Sequence, residues 1–302
     1  MKSMYLKIQL IAIFFCFITN GFAQIKDTLV DVGKYKLHFN IIKGNGAPIL
    51  FESGSGNDAT VWNDIIQPIA EITGATVITY DRAGLGKSVI KSDEVNPNRN
   101  GILENVKALE KGMKVLGYDN DIILVAHSLG GFYSTLFASR NKEKVKGAVF
   151  IDASLASFYT DSFVNKLNGV ISDELLNKFR AEKIGLYYEV KNIENSLKLL
   201  KNTYFPSSVP VIDLVASNPY NPFKNEEDKN RWIKGHQNFV ENLPNRELLI
   251  INSTSHFAFR DNPNLIINQV VKAYANTLDA SKEKRILLRA LKFSIKINNL
   301  KQ

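Results

Sequence analysis

A single cysteine, Cys16, occurs in the 302 residues, and it lies inside an apolar run near the amino terminus. Disulfide frameworks, thiolate catalysis and cysteine-ligated metals are thereby excluded, so an exported form of this chain relies on its core alone. Histidine is scarce as well: only His38, His127, His236 and His256 are present, which confines the search for a general base to four positions. No phosphate loop or dinucleotide-type glycine loop is visible, because Gly54-Ser55-Gly56 alone is too weak a signal, and nothing in the pattern calls for a cofactor or a metal. Internal repeats and low-complexity linkers are also missing. The 45% apolar content suits one sizeable α/β domain carrying an insertion, not two independent domains.

Long hydrophobic runs are limited to Ile8–Ile18, which is too short for a comfortable membrane span. Lys2 and Lys7 precede this run and Gly21-Phe22-Ala23 follows it. That layout predicts a signal peptide over residues 1–23, cleaved after Ala23, and a secreted or periplasmic location, with an uncleaved anchor as the alternative. The residues before Cys16 do not fit a lipid-attachment site.

The excess of positive charge, +8 overall, is confined to the two ends. Residues 281–302 hold seven Lys or Arg against Glu283, the signal adds two lysines, and the body between them is balanced. Nucleic acid is therefore not an expected partner. The basic tail 281–302 also carries Ile286, Leu287, Leu288, Leu291, Phe293, Ile295 and Ile297. Its pattern is helical at first and alternates with period two from Leu291 to Ile297. Two readings stand: a segment packed on the body, and a basic amphipathic segment that touches an anionic membrane or a partner.

Along the body, Thr28–Val32, Tyr35–Ile42 and Pro48–Ser53 read as strands. Helical and strand patterns then alternate: helix near 60–72, strand Ala75–Asp81, helix near 100–116, strand Ile122–Ala126, helix near 130–140 and strand Lys146–Asp152. This rhythm implies βαβ units and a mainly parallel, doubly wound sheet. It breaks at residues 155–208, where amphipathic helical runs without strand character predict an inserted cap. Strand Val209–Val215, a helical pattern near 225–242, strand Glu247–Ile251 and a helix near 263–278 complete the core, 24–154 and 209–280.

Within this frame the run Ile122–Gly131 (Ile-Ile-Leu-Val-Ala-His-Ser-Leu-Gly-Gly) stops a strand at Ser128 and opens a helix at once. A serine on such a turn has an exposed hydroxyl beside the free N–H groups of a helix N-terminus, which is what acyl transfer through an oxyanion requires. Among the histidines, His38 lies within a strand, His127 reads as packing and His236 sits on a helix. His256 follows the strand Glu247–Ile251 through a polar loop and falls at the same sheet edge as Ser128, so it is the expected base.

These parts resemble the α/β-hydrolase family: A-H-S-L-G-G around Ser128, Tyr80-Asp81-Arg82-Ala83-Gly84-Leu85-Gly86-Lys87-Ser88 after an earlier strand, and S-H-F at His256, over roughly residues 30–280. Ala126 stands where the G-x-S-x-G pattern has its first glycine, and Ser53 where many members have histidine. The resemblance implies an oxyanion hole from the N–H groups of Leu129 and Ser55, and structural roles for Asp81 and Arg82. It also implies a triad acid. The common position after the post-cap strand holds no carboxylate, whereas some members carry the acid one strand earlier, where this chain has Asp152. The expected activity is a serine hydrolase acting on a small-molecule ester or related acyl bond. Amidase, lactonase and thioesterase chemistry on the same triad, or a non-catalytic binding scaffold, remain open. Phe158, Tyr159, Phe163, Leu167, Tyr187, Tyr188, Tyr204 and Phe205 would make an apolar pocket if they face inward.

Overall fold

The computed structural model describes residues 25–91, 100–222 and 224–300; the signal expected over 1–23, with Cys16, lies outside them. One sheet of nine strands runs through the body: β1 (Ile25–Asp31), β2 (Tyr35–Ile42), β3 (Gly46–Glu52), β4 (Ala75–Tyr80), β5 (Val89–Ile90), β6 (Ile122–His127), β7 (Val145–Ile151), β8 (Val211–Asn218) and β9 (Arg246–Ser255). Its order is β1-β2-β4-β3-β6-β7-β8-β9, with the short β5 paired to β2. The β1, β2 and β5 pairings are antiparallel, and everything from β4 to β9 is parallel.

Alternation along each central strand sorts apolar side chains into two layers. Leu50, Leu124 and Phe150 face one layer, while Phe51, Val125 and Ile151 face the other. The first layer is closed by α2 (Ile102–Leu116) and α3 (Gly130–Arg140). The second is closed by α1 (Asn63–Thr73), α10 (Pro263–Ala275) and the terminal helix α11 (Ala280–Leu300). Four helices lie between β7 and β8: α4 (Asp161–Gly169), α5 (Asp173–Glu182), α6 (Ile184–Lys191) and α7 (Ile193–Leu200). The remaining helices are α8 (Glu226–Val240) and the short α9 (Ala258–Asp261).

Three expectations change. The period-two stretch Leu291–Ile297 belongs to one continuous helix, because Ile286, Ala290 and Phe293 at helical spacing pack on the α1 and α10 layer. The polar residues Asn252–Ser255, read as a loop, extend β9, since Asn218 of β8 pairs with Ser255 beyond a register shift. The cap aromatics do not form one pocket wall. Phe158 and Phe163 pack with Val215 and Trp232, Tyr187 and Tyr188 with Leu176, and Phe205 joins the main core, while Tyr204 is 75% exposed.

In the sheet, β3 is flanked by β4 on one side and β6 on the other. The connections that leave β3 and β6 therefore diverge, and the crevice between them at the carboxyl edge is where an open α/β sheet receives a ligand.

Candidate active site

Ser128 is the first residue beyond β6 and adopts φ 51°, a left-handed backbone that is uncommon for a residue with a side chain. Two glycines make room for this turn. A Cβ on Gly130 would lie 2.5 Å from the Glu52 carbonyl oxygen, and one on Gly131 would lie 2.5 Å from that of Ser154. The start of α3 is thereby pressed between the ends of β3 and β7. The Ser128 carbonyl accepts from the Gly131 and Ser154 amides, at 2.9 and 2.7 Å, which fixes the turn from both sides.

The Ser128 hydroxyl donates to His256 Nε2 at 2.9 Å, and His256 Nδ1–H donates to Asp152 Oδ2 at 2.5 Å. The three residues foreseen as nucleophile, base and acid thus meet, although 104 positions separate His256 from Asp152. Asp152 directly follows β7, has φ 44° and is fully buried. Its Oδ1 accepts from the Ala216 amide (3.2 Å) and Trp232 Nε1 (3.0 Å), and its Oδ2 also accepts from the Tyr220 amide (3.0 Å). A buried carboxylate is sustained by such donors. Tyr220 and Trp232 lie in the loop after β8 and in α8, and their rings also flank His256, with centroids 5.3 and 6.2 Å away.

Leu129 is the residue before α3, so its N–H belongs to the set of helix-start donors without an i−4 acceptor. Gly54 brings the loop after β3 against the serine, since a Cβ there would be 3.1 Å from Ser128 Cβ. Ser55 follows in that loop. Its hydroxyl and the Gly56 amide both donate to Glu189 Oε2 of α6, each at 2.8 Å. Ser53 accepts from Trp62 Nε1 at 2.9 Å and holds the base of the loop.

Arg82, read as part of a turn, does more than that. Its guanidinium is 3% exposed and donates to Glu52 Oε1 (2.5 Å), to the carbonyls of Ser53 and Gly54, and to Glu189 Oε1 (2.9 Å), while lying over the Tyr133 ring. Burial opposes its charge, but Glu189 and Glu52 outweigh that and hold its pKa well above the usual range. Burial also pushes the Glu52 carboxyl upward, against the pull of Arg82. Asp81 has the expected structural role, accepting from the Ala59 and Lys87 amides at 2.8 Å. Glu189 carried no signal in the sequence, because its partners lie more than 100 positions away.

The other histidines are placed as follows. His38 is buried and pairs with Asp81 and Asp27 at 2.8 and 2.9 Å. His236 pairs with Asp213 at 2.8 Å inside the core, so Asp213 is turned to α8 and away from His256. His127 is more than packing: its Nε2–H donates to the His256 carbonyl at 2.8 Å, and its ring lies 4.6 Å from that of His256. Among the described residues no three His, Cys, Asp or Glu side chains converge as metal ligands.

The family model described as alpha/beta hydrolase fold matches residues 47–184. An uncharacterized protein of Bacillus subtilis, YqjL, is 25% identical over 223 residues, which is 74% of this chain and 81% of the relative. Methylesterase 9 of Arabidopsis thaliana is 24% identical over 251 residues, 72% of this chain and 94% of the relative. The solved structure of a Vigna radiata epoxide hydrolase mutant superposes with a TM-score of 0.63 at 16% identity, covering 83% of this chain and 98% of that one. With its parallel sheet, crossover helices and a sequence core that matches the family model over residues 47–184, this chain has the alpha/beta hydrolase fold.

Proposed function

We propose that the protein is a serine hydrolase that cleaves a carboxylic ester or related acyl bond through an acyl-enzyme. The observation that carries this reading is the unbroken hydrogen-bonded line from Ser128 Oγ through His256 to Asp152, with the serine on a left-handed turn at the sheet's carboxyl edge. A serine at this turn argues against halide or epoxide chemistry of the kind that attacks through an aspartate.

In the proposed reaction, Ser128 Oγ attacks the carbonyl carbon as its proton passes to His256 Nε2. The imidazolium that forms keeps its Nδ1–H on Asp152, whose negative charge offsets the new positive one. The carbonyl oxygen becomes an oxyanion and is received by the N–H groups of Leu129 and Ser55. Collapse breaks the bond to the alcohol oxygen, which leaves with the proton from His256. Water then attacks the acyl-serine, gives its proton to His256, and the acid departs as Ser128 regains that proton.

A fluorophosphonate probe tests the reading because it reacts only with an activated serine. The purified protein is expected to label, and Ser128→Ala to abolish labelling. His256→Ala should label much more slowly at an unchanged thermal midpoint. A folded parent that never labels, or a Ser128→Ala variant that labels normally, would overturn the proposal.

A further inference from the structure

Helix α11 touches the body through one side only. Ile286 and Ala290, 6% and 8% exposed, pack with Phe293 on the α1 and α10 layer. The opposite side is not the polar surface that a solvent-facing helix ordinarily presents. Leu287, Leu288, Leu291 and Ile295 are 39%, 49%, 57% and 51% exposed. At 3.6 residues per turn they fall within an arc of about 100°, centred about 150° around the helix from the packed side. Lys284 lies within that arc and Lys292 and Arg285 border it on one flank, with Arg289 further around toward the packed side, all exposed.

Charge gives this apolar stripe a direction. Residues 281–302 contain seven Lys or Arg and one acid, Glu283, whereas residues 25–280 carry no net charge. A helix shaped only for solubility would interleave both signs. Aliphatic side chains bordered by cations on a helix of low overall hydrophobicity are the pattern of a segment that lies in the interface of an anionic bilayer. None of the helices described is long and apolar enough to cross a membrane, so this one would lie along the surface. A second copy is a poorer occupant, because two such faces would bring strongly cationic tails together. A nucleic acid would leave the four aliphatic side chains without an apolar environment.

We propose that α11 is a docking helix for an anionic lipid surface, with Leu287, Leu288, Leu291 and Ile295 at the headgroup–acyl boundary and the neighbouring Lys and Arg among the headgroups. The inference is independent of the reaction at Ser128.

The test is co-sedimentation of the full chain with phosphatidylcholine vesicles, with and without phosphatidylglycerol. Two variants accompany it: L288S/L291S, which removes apolar surface, and K284E/K292E, which reverses charge beside it. All four positions are exposed, so both should keep the parent's thermal midpoint. Because residues 1–23 are common to every sample, the difference made by the α11 substitutions is what counts. Binding is expected to need the anionic lipid, to weaken with salt, and to fall on the order of tenfold or more in either variant. Equal binding to neutral vesicles, or binding that neither variant alters, would overturn the proposal. So would a dimer in sedimentation equilibrium that L288S/L291S abolishes, since that assigns the face to a second copy.

Discussion

Three donors besides His256 converge on the fully buried Asp152 carboxyl: two backbone amides and the Trp232 indole. Replacing it with asparagine separates charge from shape. Asparagine tolerates the left-handed backbone at φ 44° better than most residues, so the turn after β7 should survive. The amide cannot offset an imidazolium, and it favours the wrong tautomer of His256. Asp152→Asn is therefore expected to lower kcat for an ester substrate by on the order of 10⁴ with little change in thermal midpoint. A loss of less than about tenfold, measured by steady-state kinetics, would mean that another group serves as the acid. Ser128 and His256 were legible in the sequence because their signal is local: a strand that ends, a small-residue turn, and a histidine beyond the last strand. Tyr220 and Trp232 were not, because their ties to Asp152 span 68 and 80 positions and exist only once the sheet is assembled.

The cap helix α6 meets the site through Glu189, which binds the loop after β3. Gly185 lets its first turn meet the loop after β4, where its amide donates to the Gly84 carbonyl at 3.0 Å. A Cβ on Gly185 would stand 2.8 Å from the Ala83 carbonyl oxygen and 2.7 Å from Leu85 Cγ. Glu189, one turn further along the same side of the helix, holds Ser55, Gly56 and Arg82. Gly185→Ala should therefore act on the loop after β3 from a distance. Alanine is intrinsically better in a helix by roughly 0.5–1 kcal/mol, so the helix itself gains while its docking is strained. The expected result is a kcat lowered roughly tenfold or more, smaller than the 10²–10³ of losing an oxyanion donor outright, and matched by Glu189→Ala. A Gly185→Ala variant whose kcat is unchanged while Glu189→Ala is impaired would show that the two are not mechanically linked. The cap as a set of helices was visible in its 3.6-residue periodicity, but its contacts were not. Aromatic residues expected to line a pocket pack into three separate clusters, because hydrophobic pattern reports burial and not the partner.

Across the whole molecule, the alternation of strands and helices announced a mainly parallel sheet, yet not its order. The placement of β3 between β4 and β6 depends on crossovers that leave no local trace, and that placement creates the crevice at Ser128. The same assembly seals His127, 1% exposed, among Trp62, Phe257 and Phe259 of one apolar layer and against the His256 carbonyl. Its Nδ1 has no hydrogen-bond partner among the described residues, so a proton added there would be buried without an acceptor. Burial first, and then electrostatic repulsion from the neighbouring His256 ring and Arg260, push its pKa well below the ordinary 6.5, against the His256 carbonyl, which pulls it up. The sign of the linkage follows. Below about pH 6.5 the unfolded chain takes up a proton that the folded chain refuses, so the stability His127 confers is complete above that pH and is lost as pH falls toward the depressed folded value. His236 runs the other way, since Asp213 outweighs the cost of burial and raises its pKa; its contribution is present at low pH and is lost as pH rises through the raised value. Comparing the parent with His127→Gln isolates the first effect, because His236 is common to both and glutamine keeps an N–H donor for the His256 carbonyl. In urea unfolding, the parent's advantage over the variant should shrink by about 1 kcal/mol per pH unit between pH 6.5 and 5, and stay level above pH 7. Parallel stability curves for the two proteins over that range would mean that His127 is protonated at no extra cost in the fold.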